Sequence, residues 1–163
     1  FVRPRNLQDN ATPSGSAMIA LDLLRLTAYT GETRYEDAAL SVYRVLGTTL
    51  SEYPMAFGEM LIGLDLWLRR PVEIALIGDP ADARTGAMLD VVRSAYRPLA
   101  VVALSPRDAD SKAVPALLRT RTLRDGGPAA YVCENFVCAS PVTTAEALAA
   151  LLDSRPEEIA PIG

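Results

Sequence analysis

Cys133 and Cys138 are the two residues of this 163-residue chain whose type and spacing point most directly to chemistry. They form a Cys-x4-Cys motif within Tyr131-Val132-Cys133-Glu134-Asn135-Phe136-Val137-Cys138, where a strand ending near Asn135 could turn back and bring the second sulfur close to the first. Such a dithiol could cycle with a disulfide. The alternative is that each cysteine is a small buried hydrophobe, and the spacing leaves both open. Zinc is a poor match, because two thiolates half fill a tetrahedral site and the chain has no further Cys and no His. The absence of His also removes every Ser-His-Asp or Cys-His arrangement.

Three carboxylates are candidates for proton transfer. Asp9 stands in a helix-entry segment, while Glu59 and Asp65 interrupt an otherwise apolar helix. At this spacing Glu59 and Asp65 do not share a helix face, and capping or a solvated edge is the ordinary explanation for all three. The chain has neither Gly-x-Gly-x-x-Gly nor a Walker loop. Gly78-Asp79-Pro80 and Ser105 could mark a ligand position at a sheet edge, although an ordinary turn between strand and helix is the favoured explanation. No cofactor and no metal are expected.

Charge and composition narrow the partners. With 16 basic against 20 acidic residues the net charge is −4, and Arg3/Arg5, Arg69/Arg70 and Arg119/Arg121/Arg124 are scattered rather than gathered into a stripe. That argues against nucleic acid and reads the arginines as solvated surface. Asp22, Arg25, Glu59, Asp65 and Arg69 break the longest apolar runs, so no membrane span is expected. Two cysteines without a secretory leader point to a cytoplasmic protein. The chain begins Phe-Val-Arg-Pro-Arg without Met, which reads as a fragment of something longer.

The elements that must position these residues differ between the two halves. In the first, Thr12-Pro13-Ser14 opens a helix over Ala17 to Tyr29 that Gly31 ends, and Thr33 with Glu36 reads as a capping box for a second helix. The second helix carries the stripe Tyr35, Ala39, Val42, Leu46 and Leu50, and Tyr53-Pro54 opens a third through Phe57, Met60, Leu61, Leu64, Trp67 and Leu68. Helices one and three are apolar nearly all round and require neighbours. In the second half, apolar strand-like runs at 72–77, 99–104 and 129–134 alternate with helical segments at 83–95, about 111–119, and one boxed by Thr143 and Glu146. Continuous apolar strands joined by helices predict an α/β fold with a small, three-stranded, mostly parallel sheet flanked by helices. Residues 155–163 read as a tail.

Two stretches carry a family resemblance: Asp9-Asn10-Ala11-Thr12-Pro13-Ser14-Gly15-Ser16 with Leu23-Leu24-Arg25-Leu26, and Ala130 to Cys138 with Ser140-Pro141-Val142-Thr143. They resemble the C-terminal part of the thioredoxin-domain-containing family of the spermatogenesis-associated thioredoxin-like protein. The resemblance implies that residues 1–70 are the last helices of an (α/α)6 toroid similar to N-acylglucosamine 2-epimerases and six-hairpin glycosidases. Residues 71–154 would then be a small α/β end region. It also implies a cavity-facing role for the loop from Asp9 to Ser16 and a carbohydrate-like ligand for the full-length protein. The thioredoxin-like domain and most of the toroid lie outside this chain, so family redox or epimerase activity does not transfer to it. The expectation is therefore a structural or ligand-supporting region, covered by upstream domains of its parent or self-associating through residues 1–70. The alternatives are a redox-related fragment using Cys133/Cys138, sugar-binding or epimerase-like activity in the full-length protein, or a small-molecule module at the sheet edge.

Overall fold

The computed structural model describes residues 7–107 and 114–154. Arg3 and Arg5, the first residues of the helix expected over 111–119, and the tail at 155–163 lie outside the described residues. Two compact units emerge: one runs to Thr27 and resumes over Gly31–Arg70, and the other comprises Ala28–Thr30 and the chain from Pro71 onward.

The first unit is helical. Helix α1 spans Gly15–Thr30, and its N-cap is Ser14, whose hydroxyl accepts the Ala17 N–H. The cap thus falls two residues later than Thr12, because Pro13 fits just ahead of the N-cap as well as just inside it. Gly31 closes α1 in the left-handed region at φ 71°, as the sequence indicates. Helix α2 spans Thr33–Glu52 and buries Ala39, Tyr43, Leu46 and Leu50. Its expected capping box does not form: Glu32 is the N-cap without a side-chain bond, and Glu36 instead accepts the Trp67 Nε1–H at 2.7 Å and pairs with Arg70 at 3.3 Å. After a single 3-10 turn at Pro54–Ala56, helix α3 spans Gly58–Arg69 and buries Met60, Gly63 and Leu66. Gly63 lets α3 pass close to α2, since a Cβ there would run into the Tyr43 hydroxyl. Not all of the apolar surface is hidden: Ile19 is 60% exposed, Ile62 47% and Leu68 54%.

The second unit is an α/β layer. Strand β1 (Val72–Ile77) leads through helix α4 (Ala83–Arg93) to β2 (Ala100–Ser105), then β3 (Ala129–Glu134), β4 (Val137–Cys138) and helix α5 (Ala145–Asp153). The sheet has four strands in the order β2-β1-β3-β4. It is mixed: β1 and β2 are parallel, whereas β3 runs antiparallel to β1, and β4 antiparallel to β3. The antiparallel turn-about has a local cause. Ala129 pairs with Ile77, so β3 begins at the edge where β1 ends, delivered there by the turn at Gly126 and Gly127.

Both sheet faces are covered, which explains why the strands read as continuous apolar runs. On one face Ile74, Leu76, Ala130 and Val132 pack with Met88 and Val92 of α4 and Leu148 and Leu152 of α5. On the other, Ala75, Ile77, Tyr131 and Cys133 pack with Leu117, Leu118 and Ala28. Residues 116–120 form consecutive turns rather than the expected helix, yet Leu117 and Leu118 point inward as predicted. Helix α5 is capped by Thr144, not Thr143, through the Ala147 N–H.

Candidate functional site

The site grows from a tight hairpin. Between the paired residues Glu134 and Val137 the chain reverses through Asn135 and Phe136, both at positive φ (49° and 61°). Positive φ at both central residues is the signature of a type I′ turn, whose twist matches the flanking strands. It brings Cys133 and Cys138 directly opposite one another, and the two sulfurs form a disulfide. The close approach that the sequence allowed is therefore realised, with the second sulfur carried on a short fourth strand. Cys133 is wholly buried, whereas Cys138 is partly exposed.

A cation sits on the sulfurs. The Arg121 guanidinium approaches Cys138 Sγ at 2.9 Å and Cys133 Sγ at 3.6 Å, and its carbon lies 5.4 Å from the centre of the Tyr131 ring. Among the described residues its Nε is buried without a hydrogen-bond partner, and its charge also reaches the Glu73 carboxyl. The preceding turns and Tyr131 hold it there: Tyr131 Oη donates to Thr122 O at 2.8 Å and accepts from Arg124 Nε at 3.1 Å. Burial raises the Tyr131 phenol, but the bonds from Thr122 and Arg124 outweigh burial and leave it below its ordinary value. Arg121 is thus not the solvated surface charge that its place in the sequence suggests.

Beside the disulfide lies an acid that residue spacing did not single out. Glu73 is 2% exposed and pairs in register with Cys133, so the two side chains are cross-strand neighbours on one sheet face. Its Oε2 accepts the Phe136 N–H at 2.9 Å, fastening the hairpin tip. Burial pushes the Glu73 carboxyl up, only partly countered by that bond and by the charge of Arg121, while Glu134 adds to the rise. The signal was present in the sequence: a lone carboxylate inside Val72-Glu73-Ile74-Ala75-Leu76-Ile77.

The remaining candidates are occupied otherwise. Asp9, in the first unit, accepts the Ser14 N–H through Oδ1 at 2.7 Å and the Glu59 N–H through Oδ2 at 2.8 Å, serving the N-termini of α1 and α3. Asp65 is paired with Arg69 at 2.8 Å. At the sheet edge, the Gly78 N–H bonds Ser105 O at 2.9 Å, and a Cβ at Gly78 would come 2.7 Å from Pro128, so the turn is packed rather than open. Asp82 caps α4 through the Arg84 N–H at 2.8 Å. In the first unit a cleft of about 180 Å³ is lined by Leu7, Ser16, Ser41, Val42, Val45 and Leu46, none of them ionisable. Among the described residues no group of three His, Cys, Asp or Glu side chains could hold a metal ion, and no helix is long and apolar enough to cross a membrane.

Comparison with known proteins follows the resemblance in part. The chain is similar to spermatogenesis-associated protein 20 of Homo sapiens, 32% identical over 145 residues that make up 87% of this chain and 18% of the relative. The protein of the same name in Mus musculus is 30% identical over equal shares. An uncharacterised protein of Caenorhabditis elegans is 27% identical over 152 residues, covering 90% of this chain and 20% of its own length. No family model and no solved structure matches. The chain spans about a fifth of the length of the curated relatives it matches, most of it aligning with spermatogenesis-associated protein 20 of mammals.

Proposed function

We propose that this chain is the C-terminal region of a protein resembling spermatogenesis-associated protein 20 and that Cys133 and Cys138 work there as a reversible thiol–disulfide pair. The observation that carries this is the Arg121 guanidinium set against both sulfurs of a hairpin disulfide that has one buried and one accessible end. A cation beside a sulfur favours thiolate, the form that attacks and leaves in exchange. The accessible Cys138 Sγ is the end an incoming thiolate reaches, and Cys133 is the leaving group. Were the protein cytoplasmic, such a bond would be transient, as most cytosolic disulfides are.

The asymmetry gives the test. In the Cys133→Ser variant, Cys138 should form a mixed disulfide with an aromatic disulfide reagent in the folded protein. In Cys138→Ser, the buried Cys133 should react far more slowly. Equal rates for the two variants would refute the assignment of Cys138 as the attacked sulfur.

A second reading is supported by a different observation. The exposure of Ile19, Ile62 and Leu68 on α1 and α3 favours a supporting role for the first unit, as the last helices of a toroid like that of N-acylglucosamine 2-epimerases, covered by upstream segments or by a second copy. A carbohydrate-like ligand would then belong to the full-length protein.

A further inference from the structure

Cys133 has no contact with water, so a thiolate released there by reduction would be a buried anion, stabilised only by what surrounds it. Arg121 is shared: its nearer sulfur is Cys138, at 2.9 Å against 3.6 Å for Cys133. In the fully reduced pair one cation cannot compensate two thiolates, and the buried, more distant Cys133 is the one that needs a proton.

We infer that Glu73 supplies it: the buried carboxyl opposite Cys133 is the proton donor to the Cys133 sulfur on reduction and the acceptor of that proton on reoxidation. This rests on the thiol–disulfide reading above. The geometry behind it is the Glu73–Cys133 register pair and the near-complete burial of both side chains. A third element is the bond from the Phe136 N–H to Oε2, which holds the carboxyl at the hairpin. Burial keeps Glu73 protonated to higher pH than an ordinary glutamate, as a donor requires. The charged groups acting on it are Arg121, which opposes the rise, and Glu134, which adds to it. Tyr131 and Tyr29 lie on the same sheet face, their hydroxyls bonded to Thr122 O and Val102 O.

The reductant is an external dithiol. Its thiolate attacks Cys138 Sγ, the Cys133–Cys138 bond breaks, and Cys133 Sγ leaves with the electron pair and takes the Glu73 proton. The reductant's second thiolate then attacks its own sulfur in the mixed disulfide, closing the reductant's disulfide and releasing the Cys138 thiolate beside Arg121. Of the two protons lost by the dithiol, one restores Glu73 and the other passes to solvent, leaving Cys138 as the thiolate. Two electrons pass from dithiol to disulfide.

Stopped-flow reduction of the full chain by dithiothreitol tests this, with rates divided by the fraction of attacking thiolate and followed over pH. The wild-type rate should fall as Glu73 loses its proton. Glu73→Gln, which still accepts the Phe136 N–H, should be slower by about a hundredfold at low pH and show no such break, while Glu73→Asp keeps the break. A Glu73→Gln variant with the wild-type rate and profile overturns the proton role and leaves the redox site standing. A wild-type chain that dithiothreitol never reduces while folded overturns both. Should Glu73→Gln fail to fold, the wild-type protein with 13C-labelled glutamate decides the matter by NMR. The Glu73 carboxyl should titrate differently in oxidised and reduced protein, and identical titrations overturn the inference.

Discussion

Arg121 owes its importance to where its charge is spent. The guanidinium faces two sulfurs and the ring of Tyr131, and the one carboxyl its charge is shown to act on, Glu73, is held toward its neutral form by burial. In the reduced protein it should therefore favour thiolate at Cys138. Replacing it by Met keeps the packing stem and removes the charge, so alkylation of Cys138 by iodoacetamide near neutral pH should slow by about tenfold. A rate unchanged in Arg121→Met would show that the cation does not act on the sulfur. Arg121 was illegible as a site residue because its neighbours Arg119 and Arg124 make it look like part of a solvated cluster, and its sulfur contacts come from residues 12 and 17 positions away. The approach of Cys133 to Cys138 was legible, because a turn just after a strand is a local event, but the spacing left open whether the two sulfurs bond. Glu73 stood in plain view as an acid within an apolar strand, but its meaning depends on a cross-strand partner 60 residues on, which periodicity does not reveal.

Among the elements, local signals set the boundaries and long-range pairing set the topology. Strands β1 and β3 lie where the apolar runs placed them, and Gly31 ends α1, because these depend on neighbours in sequence. The direction of β3 does not: burial on both faces produces the same continuous apolar run in parallel and antiparallel strands, so the sheet has four strands and is mixed where three, mostly parallel, were expected. The capping box of α2 was lost to a tertiary competitor, since Glu36 bonds Trp67 and Arg70 instead of reaching back. Two substitutions probe this layer. Asp9→Ala removes the acceptor for two helix-start N–H groups and should cost about 1–2 kcal/mol in chemical denaturation, the range of a lost N-cap. Gly63→Ala places a methyl where the Tyr43 hydroxyl lies and should cost about 1–3 kcal/mol by the same measurement, as overpacked cores do. Wild-type stability in either variant would contradict the packing described.

At the scale of the whole molecule, pH and association report on the same features. Glu73 titrates above its ordinary 4.5 in the folded chain, so between that value and its folded value the native state holds a proton that the unfolded state has released. Its contribution to stability is complete below pH 4.5 and is lost as pH rises through the folded value. The oxidised wild type should therefore lose stability relative to Glu73→Gln across that window, and parallel pH profiles for the two proteins would contradict it. Tyr43, pushed up to about 12 by burial and the charge of Glu59, acts in the same sense at the alkaline end: stability falls as pH rises above 10, where the unfolded phenol ionises first. The apolar positions left open on α1 and α3 should make the isolated chain associate with rising concentration in sedimentation, and a strict monomer would count against the supporting role of the first unit. The most direct measurement of the central claim is a redox titration of the folded chain. The folded protein is equilibrated with mixtures of oxidised and reduced dithiothreitol, exchange is quenched with acid, the quenched chain is unfolded so that buried Cys133 alkylates as readily as Cys138, and the products are weighed by mass spectrometry. The account predicts that Cys133 and Cys138 gain labels together, in one reversible two-electron step, with the fold retained. A bridge that is reduced only in unfolded protein, or cysteines that stay free under oxidising conditions, would contradict it.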